Sequence, residues 1–351
     1  MKNKILIISH ELTYTGAPHS LLNVARALRE MQYEVEIWSL CAGPFMDELY
    51  SAGFEVKIVR LEQPLSMGQI YYIQQFDLAI ANTIFCAETA SILNRYIKTI
   101  LYIREAENIP DLIQQCNLDP NVISNFKHII CVSEYAQEFL KRRYGISNST
   151  VVHNYVPDQY DGSLNLLKKN TVNFIVSGTI EKRKQQQIVI EAFRRMPVQL
   201  RKQSYLHIVG NNPDWAREYW QEFLPIEDDR ITYYGSIEDD EKRIELYKKM
   251  NVFIIPSLDE SCSLVALEGA MLGRAIILSN HVGAKYLFDS DKYLFDIENV
   301  EQLCRKMAML TSRRELLLQG LKMRKAYKNT STKDVYKKNI GNTISKYLEM
   351  R

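Results

Sequence analysis

No stretch of the chain approaches the roughly 18 consecutive apolar residues that a membrane-spanning helix needs, and no charged start followed by a long apolar run marks a secretory leader. The protein is accordingly expected in the cytoplasm. An excess of one charge is also missing. With 44 Lys and Arg against 42 Asp and Glu, a net of +2, nothing global recommends nucleic acid or an acidic polymer as partner, and any basic surface has to be local. The six cysteines, Cys41, Cys86, Cys116, Cys131, Cys262 and Cys304, form no C-x-x-C pair. That argues against a zinc site and fits buried thiols in a reducing compartment. The segment after the first apolar run, HELTYTGAP, holds the single glycine Gly16, where a dinucleotide-dependent oxidoreductase would place G-x-G-x-x-G.

What is present is enough for two domains of ordinary size: 351 residues, 46% hydrophobic and 25% charged. Short apolar strands alternate with amphipathic helices throughout, the pattern of parallel sheets with crossover helices. A first set of strands comprises KILIIS, EVEIWSL, EVKIVR, DLAIA, TILYIR and HIICVS, with helical stretches such as Pro18–Met31 and Glu134–Tyr144 between them. A second comprises VNFIVSG, YLHIVG, RITYYG, NVFIIPS and RAIILS, separated by Gln185–Met196, Asp239–Lys249 and Ser263–Leu272. Between the sets, Val156–Leu166 is polar, turn-rich and without apolar period, as a linker should be. The stretch Val335–Met350 is amphipathic, with Tyr336, Ile340, Ile344 and Leu348 at helical spacing.

The most informative segment is Asn251–Ser279, NVFIIPSLDESCSLVALEGAMLGRAIILS, which reads as strand, polar loop, helix, strand. Ser261, Cys262 and Ser263 open a helix that begins near Leu264, and the start of a helix offers unpaired N–H groups and the positive end of the macrodipole. A diphosphate can be held there by main chain alone, and small side chains let it approach. Glu268 lies just over one turn inside the helix, placed to accept hydrogen bonds from a ribose diol. Glu260, in the loop, is placed to reach a sugar hydroxyl.

Glu260 and Glu268, eight residues apart, resemble the E-x7-E signature of the retaining glycosyltransferases of the GT-B fold, the large sequence family numbered four. The resemblance implies two Rossmann-like parallel-sheet domains facing across a cleft, with a final helix crossing back to the first domain. On that pattern residues 1–158 with 335–351 form an acceptor-binding domain, and 159–334 a domain binding the nucleotide-sugar donor. VSGTIEKRKQQQIVIEAF is similar, without gaps, to the family pattern around a phosphate-contacting lysine, matching at Gly178, Ile180, Lys184 and Ala192. Lys184 is then the cation that meets charge developing on the leaving diphosphate. Thr179 and Gln185 stand where Arg and Gly are usual, and Arg183 is the candidate for the missing phosphate contact or an ordinary turn residue. Gly16 resembles the glycine of the family's first loop, while Ala17, Pro18 and His19 depart from it, and His19 is given no catalytic role. Gly210 and the stretch Tyr234-Gly235-Ser236-Ile237 resemble positions lining the base pocket, or are plain strand-end turns. Gly283 resembles a family glycine near the donor, with Val282 and Tyr286 as departures. Arg104 and Glu105 stand where relatives often carry a His, and are candidate contacts to the acceptor.

The resemblance implies transfer of a sugar from a nucleoside diphosphate sugar to a hydroxyl of a saccharide or lipid-linked saccharide, with the anomeric configuration kept. It further implies work in surface polysaccharide or glycoconjugate synthesis. Catalysis falls to Glu260 and Lys184. Donor binding falls to Gly16, Gly178, Arg183, Lys184, Gly210, Ile237, Ser261, Cys262, Ser263, Leu264 and Glu268. No cofactor and no metal are expected, the helix start and Lys184 taking a metal's place, and Asp289-Ser290-Asp291 is read as a turn. Lys141-Arg142-Arg143-Tyr144 is read either as a contact to anionic lipid at the inner membrane face or as ordinary partners of a helix C-terminus. Two further readings stay open: a non-catalytic GT-B partner of another transferase, and the oxidoreductase that the single glycine argues against.

Overall fold

The computed structural model describes residues 3–167 and 170–349, which fall into two compact units, Met1–Tyr155 with Lys333–Arg351 and Val156–Thr332. In the first unit the strands are β1 (Lys4–Ser9), β2 (Glu34–Ser39), β3 (Val56–Ile58), β4 (Leu78–Asn82), β5 (Lys98–Ile103), β6 (Ile129–Cys131) and β7 (Ser149–Val151). They pair in parallel in the order β3-β2-β1-β4-β5-β6-β7. The middle strands are apolar on both faces because helices cover both: Ile5, Leu6, Ile7 and Ile8 are all fully buried. Strand order reverses between β1 and β4, and the carboxyl ends of those strands leave a crevice there.

The second unit repeats this order. Its strands are β8 (Val172–Ser177), β9 (Ser204–Val209), β10 (Ile231–Tyr233), β11 (Val252–Ile255), β12 (Ala275–Ser279) and β13 (Leu294–Phe295), arranged β10-β9-β8-β11-β12-β13 and all parallel. Here the reversal lies between β8 and β11. Helix Leu264–Met271 runs back along β11 at unusually close range. A Cβ on Gly269 would lie 2.9 Å from the Phe253 ring, so only glycine permits that approach.

Three sequence expectations need correction. β7 and β13 are strands that the apolar patterning missed, being short and, in β7, only partly buried. In helix Lys333–Glu349 the buried face is Tyr336, Ile340, Ile344 and Tyr347, with Leu348 only half-buried. A 3.6-residue period advances the stripe by three at that step rather than four. Lys98 Nζ closes this helix by donating to the carbonyls of Tyr347 and Leu348 at 3.2 and 2.7 Å. Finally, the thiols are not uniformly buried. Cys131, closing β6, and Cys86, closing the short turn Ile84–Cys86 after β4, are buried, whereas Cys41 and Cys116 lie exposed in connecting loops. Among the described residues no helix is long and apolar enough to cross a membrane.

Candidate active site

The signature loop is fastened on both sides by main chain. Leu258 N–H donates to the Arg183 carbonyl at 2.8 Å, Glu260 N–H to the His281 carbonyl at 3.1 Å, and Gly283 N–H to the Glu260 carbonyl at 2.7 Å. Glu260 thus sits in an isolated parallel bridge opposite Val282. The helix then opens at Ser263, whose hydroxyl accepts from Ala266 N–H at 3.3 Å. This cap uses one first-turn donor. The Leu264 and Val265 N–H groups have no carbonyl within the helix to meet. Leu264, Val265 and Cys262 are partly buried and pack on the same apolar cluster as Ile237.

Lys184 reaches this loop from the turn Lys182–Lys184 that follows β8. Its Nζ donates to Glu260 Oε2 at 2.8 Å, and Ser257 Oγ donates to the same oxygen at 2.8 Å. The Lys184 stem crosses the face of Gly178, where a Cβ would lie 3.7 Å from it. Gly178 in turn backs onto Gly210, whose φ is +156° and where a Cβ would stand 1.9 Å from the Gly178 carbonyl oxygen. The ends of β8 and β9 therefore touch through bare backbone. Gln185 adopts φ 51°, a left-handed conformation that explains why glycine suits this place better. The Gln186 amide donates to the Thr179 carbonyl at 2.9 Å and holds the turn closed. Arg183 is spent on the loop itself, donating to the Asp259 carbonyl at 3.0 Å and to Glu181 at 2.6 Å.

Glu268 has a partner the sequence reading missed. Arg243, on helix Asp240–Lys248, donates to Glu268 Oε1 at 3.1 Å and pairs with Asp240 at 2.5 Å. In sequence Arg243 looks like half of an ordinary surface pair three residues from Asp240, and no motif marks it. The side chains of Glu260 and Glu268 keep only 15% and 13% of their exposure. Each has one oxygen anchored by a cation and the other without a protein partner among the described residues. Burial pushes both carboxyls up. For Glu260 the charges of Lys184 and Arg183, with the two hydrogen bonds, outweigh burial and hold it below the usual carboxylate range. For Glu268 burial prevails over Arg243, and its pKa is raised.

The other expected residues fall as follows. Gly16 opens helix Gly16–Glu30 in the first unit, with open space where a Cβ would stand. Arg104 is held by Asn82 Oδ1 at 2.9 Å and Asn154 Oδ1 at 2.7 Å, with its guanidinium 3.6 Å over the Tyr102 ring. Glu105 accepts from the N–H groups of Arg104 and Ile84 at 2.9 and 3.2 Å. Burial raises it to about 7. Asp289 pairs with Lys322 at 2.8 Å and Asp291 opens a short turn. Among the described residues no three His, Cys, Asp or Glu side chains gather as a metal would require. Arg142, in the basic turn, pairs with Glu107 at 2.6 Å.

Residues 163–334 match the family model described as glycosyl transferases group 1, and residues 1–104 match that of glycosyl-transferase family 4. No curated protein matches the sequence. Among solved structures the chain is similar to HepE of Anabaena, determined in complex with UDP. The identity is 17%, over 99% of this chain and 100% of that one, with a TM-score of 0.80. A glycosyltransferase from Rickettsia africae is 16% identical over 100% of both chains, TM-score 0.80. The lipopolysaccharide outer core galactosyltransferase WaaB is 16% identical over 98% of this chain and 99% of that one, TM-score 0.74. With a group 1 domain over residues 163–334, a family 4 domain over residues 1–104 and two Rossmann-like sheets of one order, the chain is a glycosyltransferase of the GT-B type.

Proposed function

We propose that the protein is a retaining, metal-independent glycosyltransferase. It moves a sugar from a nucleoside diphosphate sugar to a hydroxyl of a saccharide or lipid-linked saccharide acceptor, in the synthesis of surface polysaccharide or glycoconjugate. The observation that carries this reading is the Lys184–Glu260 pair at 2.8 Å, beside a helix start and eight residues before a second carboxylate anchored by Arg243. As the bond from the anomeric carbon to the diphosphate breaks, negative charge grows on the leaving oxygens. The Leu264 and Val265 N–H groups and the Lys184 ammonium stabilise it. Glu260, kept ionised, uses its unpartnered oxygen to orient the donor sugar, and Glu268 uses its own to accept from the ribose diol. The acceptor oxygen attacks on the face the leaving group vacates, and its proton passes to a leaving phosphate oxygen. A uridine nucleotide is the first donor to try, since HepE has been solved with UDP-glucose.

Two variants test the division of labour. Glu268→Ala is expected to weaken UDP binding by about tenfold or more, the loss of one or two hydrogen bonds to a charged acceptor. Glu260→Ala is expected to lower turnover of UDP-glucose by about a hundredfold while UDP affinity, measured by calorimetry, changes by less than about threefold. Wild-type turnover in both variants would remove the assignment.

A further inference from the structure

A second cluster stands at the strand-order reversal of the first unit, on residues that carry no part of the donor chemistry. The carboxyl end of β1 delivers His10 and Glu11, and the end of β4 delivers Thr83. The His10 ring stacks on Phe85 with centroids 4.7 Å apart, and its Nδ1 lies 3.3 Å from the Thr83 hydroxyl. Its Nε2 lies 3.5 Å from Glu11 Oε1. Thr83 is held at φ +103°, which a β-branched residue tolerates poorly, and its N–H donates to the Tyr102 carbonyl at 2.9 Å. Glu11 Oε1 accepts from Thr13 at 2.8 Å and Thr15 at 3.3 Å, so the carboxylate is fixed while Oε2 has no partner among the described residues. Asn82 ties the same walls together, donating to the Ala17 carbonyl at 3.1 Å and accepting from Arg104 Nε at 2.9 Å.

The spacing decides what this cluster does. At 3.5 Å, Nε2 and the carboxylate are too far apart for a good direct hydrogen bond, yet both are immobilised and part of each is open, with 20% and 34% of the side chains exposed. A hydroxyl can donate to the Glu11 carboxylate and accept from the His10 Nε2–H. Resting on the proposed glycosyl transfer, we infer that His10 and Glu11 position a hydroxyl of the saccharide acceptor, bridged between His10 Nε2 and the Glu11 carboxylate in the crevice at the ends of β1 and β4. Such crevices are where ligands meet open parallel sheets, and the Phe85 ring beside His10 offers an apolar face to a sugar's C–H groups. Burial lowers the imidazole pKa against the pull of Glu11, which favours the neutral ring that can accept from the Thr83 hydroxyl at Nδ1 and donate from Nε2. Arg104, spent on Asn82 and Asn154, shapes the crevice wall.

The test uses the full chain with UDP-glucose as donor and p-nitrophenyl hexosides as acceptors. His10→Asn keeps a polar atom near Thr83 and removes the one at Nε2, whereas His10→Gln replaces the one at Nε2. The asparagine variant is expected to raise acceptor KM about tenfold with UDP affinity within about twofold of wild type, and the glutamine variant to recover most of that loss. Glu11→Gln, which leaves the ring stack intact, is expected to raise acceptor KM in the same way and serves if His10→Asn does not fold. An unchanged acceptor KM in these variants, or an equal loss of UDP affinity, would overturn the inference while leaving the proposed function standing. A wild-type protein that neither binds UDP nor consumes UDP-glucose strikes the proposed function instead.

Discussion

Glu105 sits where its environment disfavours the ionised carboxylate. Its carboxyl is buried, faces two backbone N–H donors and is still pushed up to about 7. A group with a raised folded-state pKa favours folding at low pH, because the folded state then holds the extra proton. That contribution is complete below the unfolded value near 4.5 and is lost as pH rises through about 7. Glu105→Gln keeps an acceptor oxygen and removes the charge. Its thermal midpoint is therefore expected to exceed that of wild type at pH 8, by the equivalent of about 1–3 kcal/mol, and to match it near pH 5. A gap that is the same at both pH values would show that Glu105 does not titrate in this range. Sequence marks Glu105 as a charge at a strand end and, through the resemblance, as a candidate acceptor contact, but not as a carboxyl with a raised pKa. What surrounds it comes from Ile84 and the other strand ends, which nothing in its own neighbourhood reveals. Arg243 escaped notice for the same reason, since it gains its meaning from a carboxylate distant in sequence, and Ser257, legible only as the residue closing a strand, gains a bond to Glu260 from the way the loop folds back. Glu260, Glu268 and Lys184, by contrast, lie in segments where strand, loop and helix signals already fix the local geometry.

Among elements, the loops at the carboxyl ends of the strands carry nearly every group discussed, and the strands can present them only because backbone packs on backbone at the ends of β8 and β9. Gly210→Ala would set a methyl 1.9 Å from the Gly178 carbonyl oxygen, at a φ of +156° that other residues rarely adopt. The expected result is a stability loss of about 2 kcal/mol or more, read as a lowered unfolding midpoint, together with weakened UDP binding as Gly178 and the Lys184 stem above it shift. A variant with wild-type midpoint and affinity would contradict the close approach. Elements with long apolar runs, such as β1 and β11, and helices with a full stripe, such as Glu134–Tyr144, were legible from sequence. β7, with its pattern of partial exposure, and the two-residue β13 were not. They are edge strands, and pairing with β6 and β12 rather than their own composition makes them strands.

For the molecule as a whole, the two units share one strand order, each with its first strand third from one edge and a reversal beside it. That repetition is why alternating patterning sufficed to read the fold class: parallel strands with right-handed crossovers leave few arrangements to choose among. It says less about chemistry, since the same sheet serves many reactions and function resides in what the strand ends present. Here the second unit presents two anchored carboxylates, a lysine and a helix start, and the first unit presents a histidine, a glutamate and a strained threonine. The most direct test of the central claim is a crystal structure of the protein with UDP-glucose. The expected result places the diphosphate at the Leu264 and Val265 N–H groups within hydrogen-bonding reach of Lys184 Nζ, with the ribose diol on Glu268 and the sugar on Glu260. A donor bound with its diphosphate away from that helix start, and with both carboxylates untouched, would contradict it.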